Sequence, residues 1–150
     1  SGFVHADLPH LIFNMVTFWF FAFPLERQIG PVRFAVLYFL ALVVSDLGTY
    51  FKHRNDPQYA SLGASGAISA VLFAAIVYFP WMKLFIIPIP LPIPAPLFAV
   101  GYVAYSWYSA RQARGRINHD AHLGGALFGL LFVLATDPAA FGQLLRWIGS

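Results

Sequence analysis

The sequence predicts an all-α, polytopic membrane helical bundle with five spanning helices, formed by residues 1–150 as one domain. Two observations carry this expectation. Hydrophobic residues make up 59% of the chain and charged residues 10%, where a soluble domain carries about 25% charged residues. Asp, Glu, Lys and Arg are also absent from Leu8 to Leu25, Pro57 to Met82, Leu84 to Ala110 and Ala121 to Thr136, and from a shorter stretch, Phe34 to Ser45, that continues past Asp46. Since about 17–25 apolar residues cross a bilayer, each stretch reads as one span. Five spans leave no length for a soluble domain.

The first span begins near Leu8 and leaves the membrane at Pro24-Leu25-Glu26-Arg27, followed by a Gly30-Pro31 turn. The second runs from Val32 to Phe51, and Lys52 to Gln58, with Pro57, forms a polar loop. The third starts between Ser61 and Ser65 and ends at Tyr78-Phe79-Pro80-Trp81, a proline among interfacial aromatics. Pro88, Pro90, Pro92, Pro94 and Pro96 forbid regular helix from Ile87 to Pro96, because each lacks a backbone donor and clashes with the preceding turn. That segment is expected as an extended apolar strip, and non-helical backbone at membrane depth must be covered by protein or reach water. The fourth helix then begins near Pro96. Tyr102, Tyr105, Trp107 and Tyr108 lead into an exposed loop with Arg111, Arg114 and Arg116. The fifth helix covers His119 to Thr136, and Asp137 to Ser150 is a short interfacial helix anchored by Trp147.

Charge excludes some functions. The net charge of +3 comes from nine basic residues that stand singly or in threes between apolar stretches, so they flank spans rather than form a nucleic-acid face. With no cysteine, neither disulfides nor thiolate chemistry can be invoked. Loop charges divide four against five between the two sides, so the positive-inside rule does not orient the bundle.

Two polar motifs interrupt this apolar background, Gly63-Ala64-Ser65-Gly66 and His119-Asp120-Ala121-His122. Polar groups at membrane depth are costly, which makes them functional candidates. Ser65 and His122 supply a weak nucleophile and the usual base for activating it. Gly63 and Gly66 allow a tight turn with an amide exposed beside Ser65. Position 67 is alanine, so this is not the Gly-x-Ser-x-Gly elbow of soluble hydrolases.

Small residues every fourth position bring helices together in lipid. Gly66, Ala70 and Ala74 form one such stripe and Ala121, Gly125 and Gly129 another. Packing them would bring Ser65 and His122 to similar depth. On spacing alone, ordinary packing stripes with a passenger serine and histidine explain the pattern equally well. Asp120 and Asp46 offer no evident third triad member, so a Ser-His dyad is the simpler arrangement. His10 and Asn14, four apart, share a helix face and could serve a developing negative charge, or simply bridge helices. His5 would support His10 or sit at the interface. His119, Asp120 and His122 with His5 or His10 also contain enough ligand atoms for zinc, but no His-Glu-x-x-His motif is present and no metal or cofactor is expected. His53 reads as a solvated loop residue.

Three stretches together carry a resemblance: His5-Ala6-Asp7-Leu8-Pro9-His10-Leu11-Ile12-Phe13-Asn14-Met15, Gly63-Ala64-Ser65-Gly66 and Ala121-His122-Leu123-Gly124-Gly125. In this order and spacing the chain resembles the rhomboid intramembrane serine proteases over its whole length. The resemblance implies a Ser65–His122 dyad, an oxyanion hole of His10, Asn14 and the Ser65 amide, and cleavage of transmembrane protein substrates in contact with membrane lipid. It further implies a bacterial inner membrane, with the site opening to the extracytoplasmic side. The Lys52 and triple-arginine loops would lie outside, and the Arg27 and Lys83 loops in the cytoplasm. The chain starts at the family's second helix, which leaves five of the usual six spans. Ser69 stands where many relatives place a tyrosine on the histidine ring, so another group must orient His122. The competing readings are a catalytically inactive rhomboid-like binding or quality-control protein, an inactive fragment, and a small transporter. Both dyad residues are present, and no internal repeat favours the transporter.

Overall fold

Asp7 starts the bundle. Its carboxylate accepts the His10 backbone N–H at 2.8 Å, and Pro9 occupies the first turn of α1 (Leu8–Ile29), a strong helix start. A computed structural model of the chain describes residue 5 and residues 7–56, 63–86, 89–112 and 118–149. There α1 runs through Pro24 to Ile29, a turn past the expected exit. The donor lost at Pro24 would have served Phe20, on the exposed flank of the helix, where the defect is tolerated. Gly30, with φ +85°, makes the reversal, and Pro31 opens α2 (Pro31–His53).

α3 (Ser65–Tyr78) is buried at every residue. Its 14 residues span about 21 Å at 1.5 Å per residue, short of the ~30 Å hydrocarbon core. A helix apolar on all sides belongs at the centre, and α1, α2 and α5 (His119–Thr136) surround it. α2 presents a stripe at spacing four, Leu37, Ala41, Ser45 and Thr49, all buried. α1 contributes Asn14, Ala22 and Leu25. The outer faces are apolar as well: Trp19, Phe39, Phe51 and Val100 are each more than half exposed, a surface suited to lipid rather than water.

The expected extended strip pairs with the residues before it. β1 (Lys83–Ile86) and β2 (Ile89–Pro94) form an antiparallel hairpin with Lys83 opposite Pro94 and an irregularity between Phe85 and Ile86. Prolines spaced by two place their missing donors on one edge of β2, which frees the other edge to pair. This hairpin is the departure from an all-α chain. α4 (Ala95–Gln112) follows, and α6 (Pro138–Ile148) closes the chain beyond α5.

Among the described residues, length and composition qualify three of the expected five spans to cross a membrane, α1, α2 and α5. α3, with 14 residues, falls below the length of a full crossing but is enclosed by other helices, and α4 dilutes its apolar residues with tyrosines, serines and a terminal Arg111-Gln112. The expected loop residues Pro57, Arg114 and Arg116 lie outside the described residues.

Candidate active site

Ser65 is the first residue of α3 and is 9% exposed. The first amides of a helix have no intrahelical acceptor, so this end presents free N–H groups with the positive pole of the helix dipole behind them. Two residues earlier, Gly63 has φ +94°. A Cβ there would lie 2.8 Å from His10 Cε1 and 3.4 Å from Asn14 Nδ2. The left-handed backbone and the close approach both call for glycine. The His10/Asn14 face of α1 thus lies directly on the backbone leading to Ser65. Asn14 is buried, and its Nδ2 has no hydrogen-bond partner among the described residues. His5 supports this face edge-on, its ring centroid 5.2 Å from that of His10.

His122 occupies the first turn of α5, and its Nε2 is buried without a hydrogen-bond partner among the described residues. The two helices meet where the small residues are. A Cβ on Gly66 would lie 3.1 Å from the Ala121 carbonyl oxygen, and a Cβ on Gly125 would strike the Gly66 carbonyl oxygen. One turn deeper, a Cβ on Gly129 would strike the Ala70 carbonyl oxygen. The neighbours of Ser65 and of His122 are therefore in backbone contact, at one level of the bundle. A third helix joins them: Ser45 of α2 lies against both Gly66 and Gly124, its carbonyl oxygen 2.9 Å from a Cβ built on Gly124. Sequence reasoning passed over Ser45; its spacing of four from Ala41 and Thr49 was the available signal.

The start of α5 is fixed from its flanks. Asn118 caps it by accepting the Ala121 N–H at 3.0 Å, and Thr49 Oγ1 donates to the same Asn118 oxygen at 2.9 Å. Lys52 pairs with Asp120 at 2.7 Å and donates to the Ala110 carbonyl at 3.4 Å. Asp120 is thereby directed at α2. His119 meets the Tyr105 ring edge-on at 5.5 Å, and His53 ends α2 half-buried.

Ser69, one turn after Ser65, donates to the Ser65 carbonyl at 2.9 Å. Its oxygen is also 2.7 Å from the hydroxyl of Tyr102 on α4. The Tyr102 ring lies nearly parallel to that of His122, 21° between planes and 5.9 Å between centroids. No spacing rule in the sequence links Tyr102 to His122, because the contact crosses from α4 to α5. The buried unpaired nitrogens matter because each costs about 1–3 kcal/mol if left without a partner. Such groups mark places where something other than packing governs.

A family model described as a rhomboid domain matches residues 1–137. The chain is 34% identical over 154 residues to the human presenilin-associated rhomboid-like protein, mitochondrial, covering 98% of the chain and 38% of that protein. It is 32% identical over 149 residues to presenilin-associated rhomboid-like protein A, mitochondrial, of Danio rerio, covering 98% of the chain and 37% of the relative. With rhomboid protein 1, mitochondrial, of Saccharomyces cerevisiae it shares 32% over 143 residues, 88% of the chain and 39% of the relative. The chain thus spans under two fifths of the length of each of these three relatives. No solved structure matches it significantly. These relatives are mitochondrial by name, which overturns the expectation of a bacterial inner membrane with an extracytoplasmic opening. Helix length and charge carry no organelle signal, so the sequence reading had no means to separate the two membranes.

Proposed function

The chain belongs to the rhomboid family, and on that premise we propose that it is an intramembrane serine endopeptidase acting on transmembrane protein substrates. The observation that carries this reading is the backbone contact of Gly66, next to Ser65, with Ala121, next to His122, and with Gly125 one turn on, with His10 and Asn14 packed on Gly63. In the proposed reaction, Ser65 Oγ attacks the scissile carbonyl while His122 takes its proton. The Ser65 N–H, His10 and Asn14 Nδ2 receive the oxyanion, aided by the N-terminal dipole of α3. His122 then delivers the proton to the leaving amine. A water, deprotonated in turn by His122, then attacks the acyl carbon, and the acyl–Oγ bond breaks as His122 returns the proton to Ser65 Oγ. Gly63, Gly66 and Gly125 support the site by allowing the close approaches that bring these groups together.

In this reading residues 1–150 act as one domain. α3 and α4 supply two further spans, sheltered inside or beside the bundle, and the apolar outer faces contact lipid. The names of the relatives support a mitochondrial membrane as the setting. A non-catalytic rhomboid-like binding protein is the competing reading. Cleavage of a model transmembrane peptide by the purified chain in liposomes separates the two. The endopeptidase reading expects cleavage that Ser65→Ala abolishes; cleavage undiminished in that variant rejects it, and a folded wild type without cleavage favours the binding protein.

A further inference from the structure

We infer that Tyr102 is the positioning residue that orients the His122 imidazole and couples it to the Ser65 turn, an inference that rests on the proposed hydrolytic reading. His122 Nε2 has no hydrogen-bond partner among the described residues, and two aromatic rings pack on the imidazole. Tyr102 lies flat on one side at 5.9 Å, and His119 stands edge-on to it at 5.9 Å and 77°. Offset stacking at this separation is an attractive geometry for aromatic rings.

The Tyr102 ring is itself held. Phe73 of α3 and Phe98 of α4 contact it at 5.5 Å and 5.8 Å. Its hydroxyl meets Ser69 Oγ at 2.7 Å. A serine hydroxyl has one proton, and that of Ser69 goes to the Ser65 carbonyl, so Tyr102 donates and Ser69 accepts. A continuous connection results: Ser65 carbonyl, Ser69 hydroxyl, Tyr102 hydroxyl, Tyr102 ring, His122 ring. Through α4, the helix turn carrying the nucleophile and the ring carrying the base are held in one geometry. Reactions of positioned groups lose about a hundredfold for displacements near 1 Å, which sets the scale of the expected effect.

The test uses the purified chain with Tyr102→Leu, Tyr102→Met, Tyr102→Phe and Ser69→Ala, each checked for its thermal midpoint. Readouts are kcat and KM on one model transmembrane peptide, fluorophosphonate labelling, and the His122 Hε1 resonance. Tyr102→Leu and Tyr102→Met are expected to lower kcat about 10- to 100-fold with KM within about twofold. Tyr102→Phe keeps the ring and retains activity within about fivefold, as loss of one neutral hydrogen bond predicts. Ser69→Ala loses this bond and its own bond to the Ser65 carbonyl, so it falls at or below Tyr102→Phe, and the double variant is no worse than Ser69→Ala alone, in which the Tyr102 hydroxyl has already lost its partner. The Hε1 resonance, shielded by the stacked ring, moves in the Leu and Met variants and stays in Phe. Unchanged kcat in a folded Leu or Met variant overturns the inference, as does a loss confined to KM, or a Phe variant no better than Leu. A wild type that neither labels nor cleaves overturns the hydrolytic reading and this role with it, whereas a reactive wild type with indifferent variants sinks only the role of Tyr102.

Discussion

Asn14 shows how a single side chain can be assigned by what it lacks. It is buried against Gly63, yet its Nδ2 has no hydrogen-bond partner among the described residues. A group placed to receive developing charge should matter in the transition state and little in the ground state. Asn14→Ala is therefore expected to lower kcat by about 10²–10³ with KM and the thermal midpoint nearly unchanged; a loss of stability with intact turnover would make Asn14 a packing residue instead. Asp120 is the converse case. Its pair with Lys52 is partly exposed at both ends, 45% and 29%, and such pairs contribute under about 1 kcal/mol. Asp120→Asn should leave turnover within a few fold, and a loss of several hundredfold would instead make it a third catalytic group. The His10/Asn14 face was legible from a spacing of four. The stack of Tyr102 on His122 was not, because periodicity reports which residues share a face of one helix and is silent on what crosses to the next.

At the scale of elements, backbone contact between α3 and α5 replaces side-chain interdigitation. Gly125 leaves no room for any Cβ against Gly66, and Gly129 none against Ala70. Gly125→Leu should push the helices apart and destabilise the fold by at least about 1–3 kcal/mol, the usual cost of overpacking. Thermal unfolding in detergent and loss of probe labelling check this together, and an unchanged midpoint with unchanged labelling would argue that the two helices do not meet there. These stripes could be read from small residues at spacing four. Their ends were harder to read: α1 passes through Pro24 because its lost bond faces outward, and the proline run pairs as β2 with β1 because its spacing of two spares one edge. Helix rules identify proline as a stop, while sheet rules identify which edge it spoils, and only the partner strand decides between them.

For the whole molecule, composition alone indicates a helical membrane bundle, since 10% charged residues cannot cover a soluble fold of this size. The number of spans was less legible. A charge-free stretch counts the same whether it faces lipid or, like the uniformly buried α3, is enclosed by other helices at the centre of the bundle. The bundle has two ends: Arg54 follows α2 at the end where Lys52 meets Asp120, and Arg27 lies in the last turn of α1 at the other. With no native cysteine, Arg54→Cys and Arg27→Cys should react with an impermeant thiol reagent from opposite faces of a liposome. Reaction of both from one face would contradict the proposed topology. The central claim is that Ser65 is a nucleophile activated by His122, and it is tested most directly by fluorophosphonate labelling of the purified wild type beside Ser65→Ala and His122→Ala. The account predicts labelling of the wild type that is lost in both variants. Labelling that persists in a folded Ser65→Ala, or a folded wild type that never labels, would contradict it.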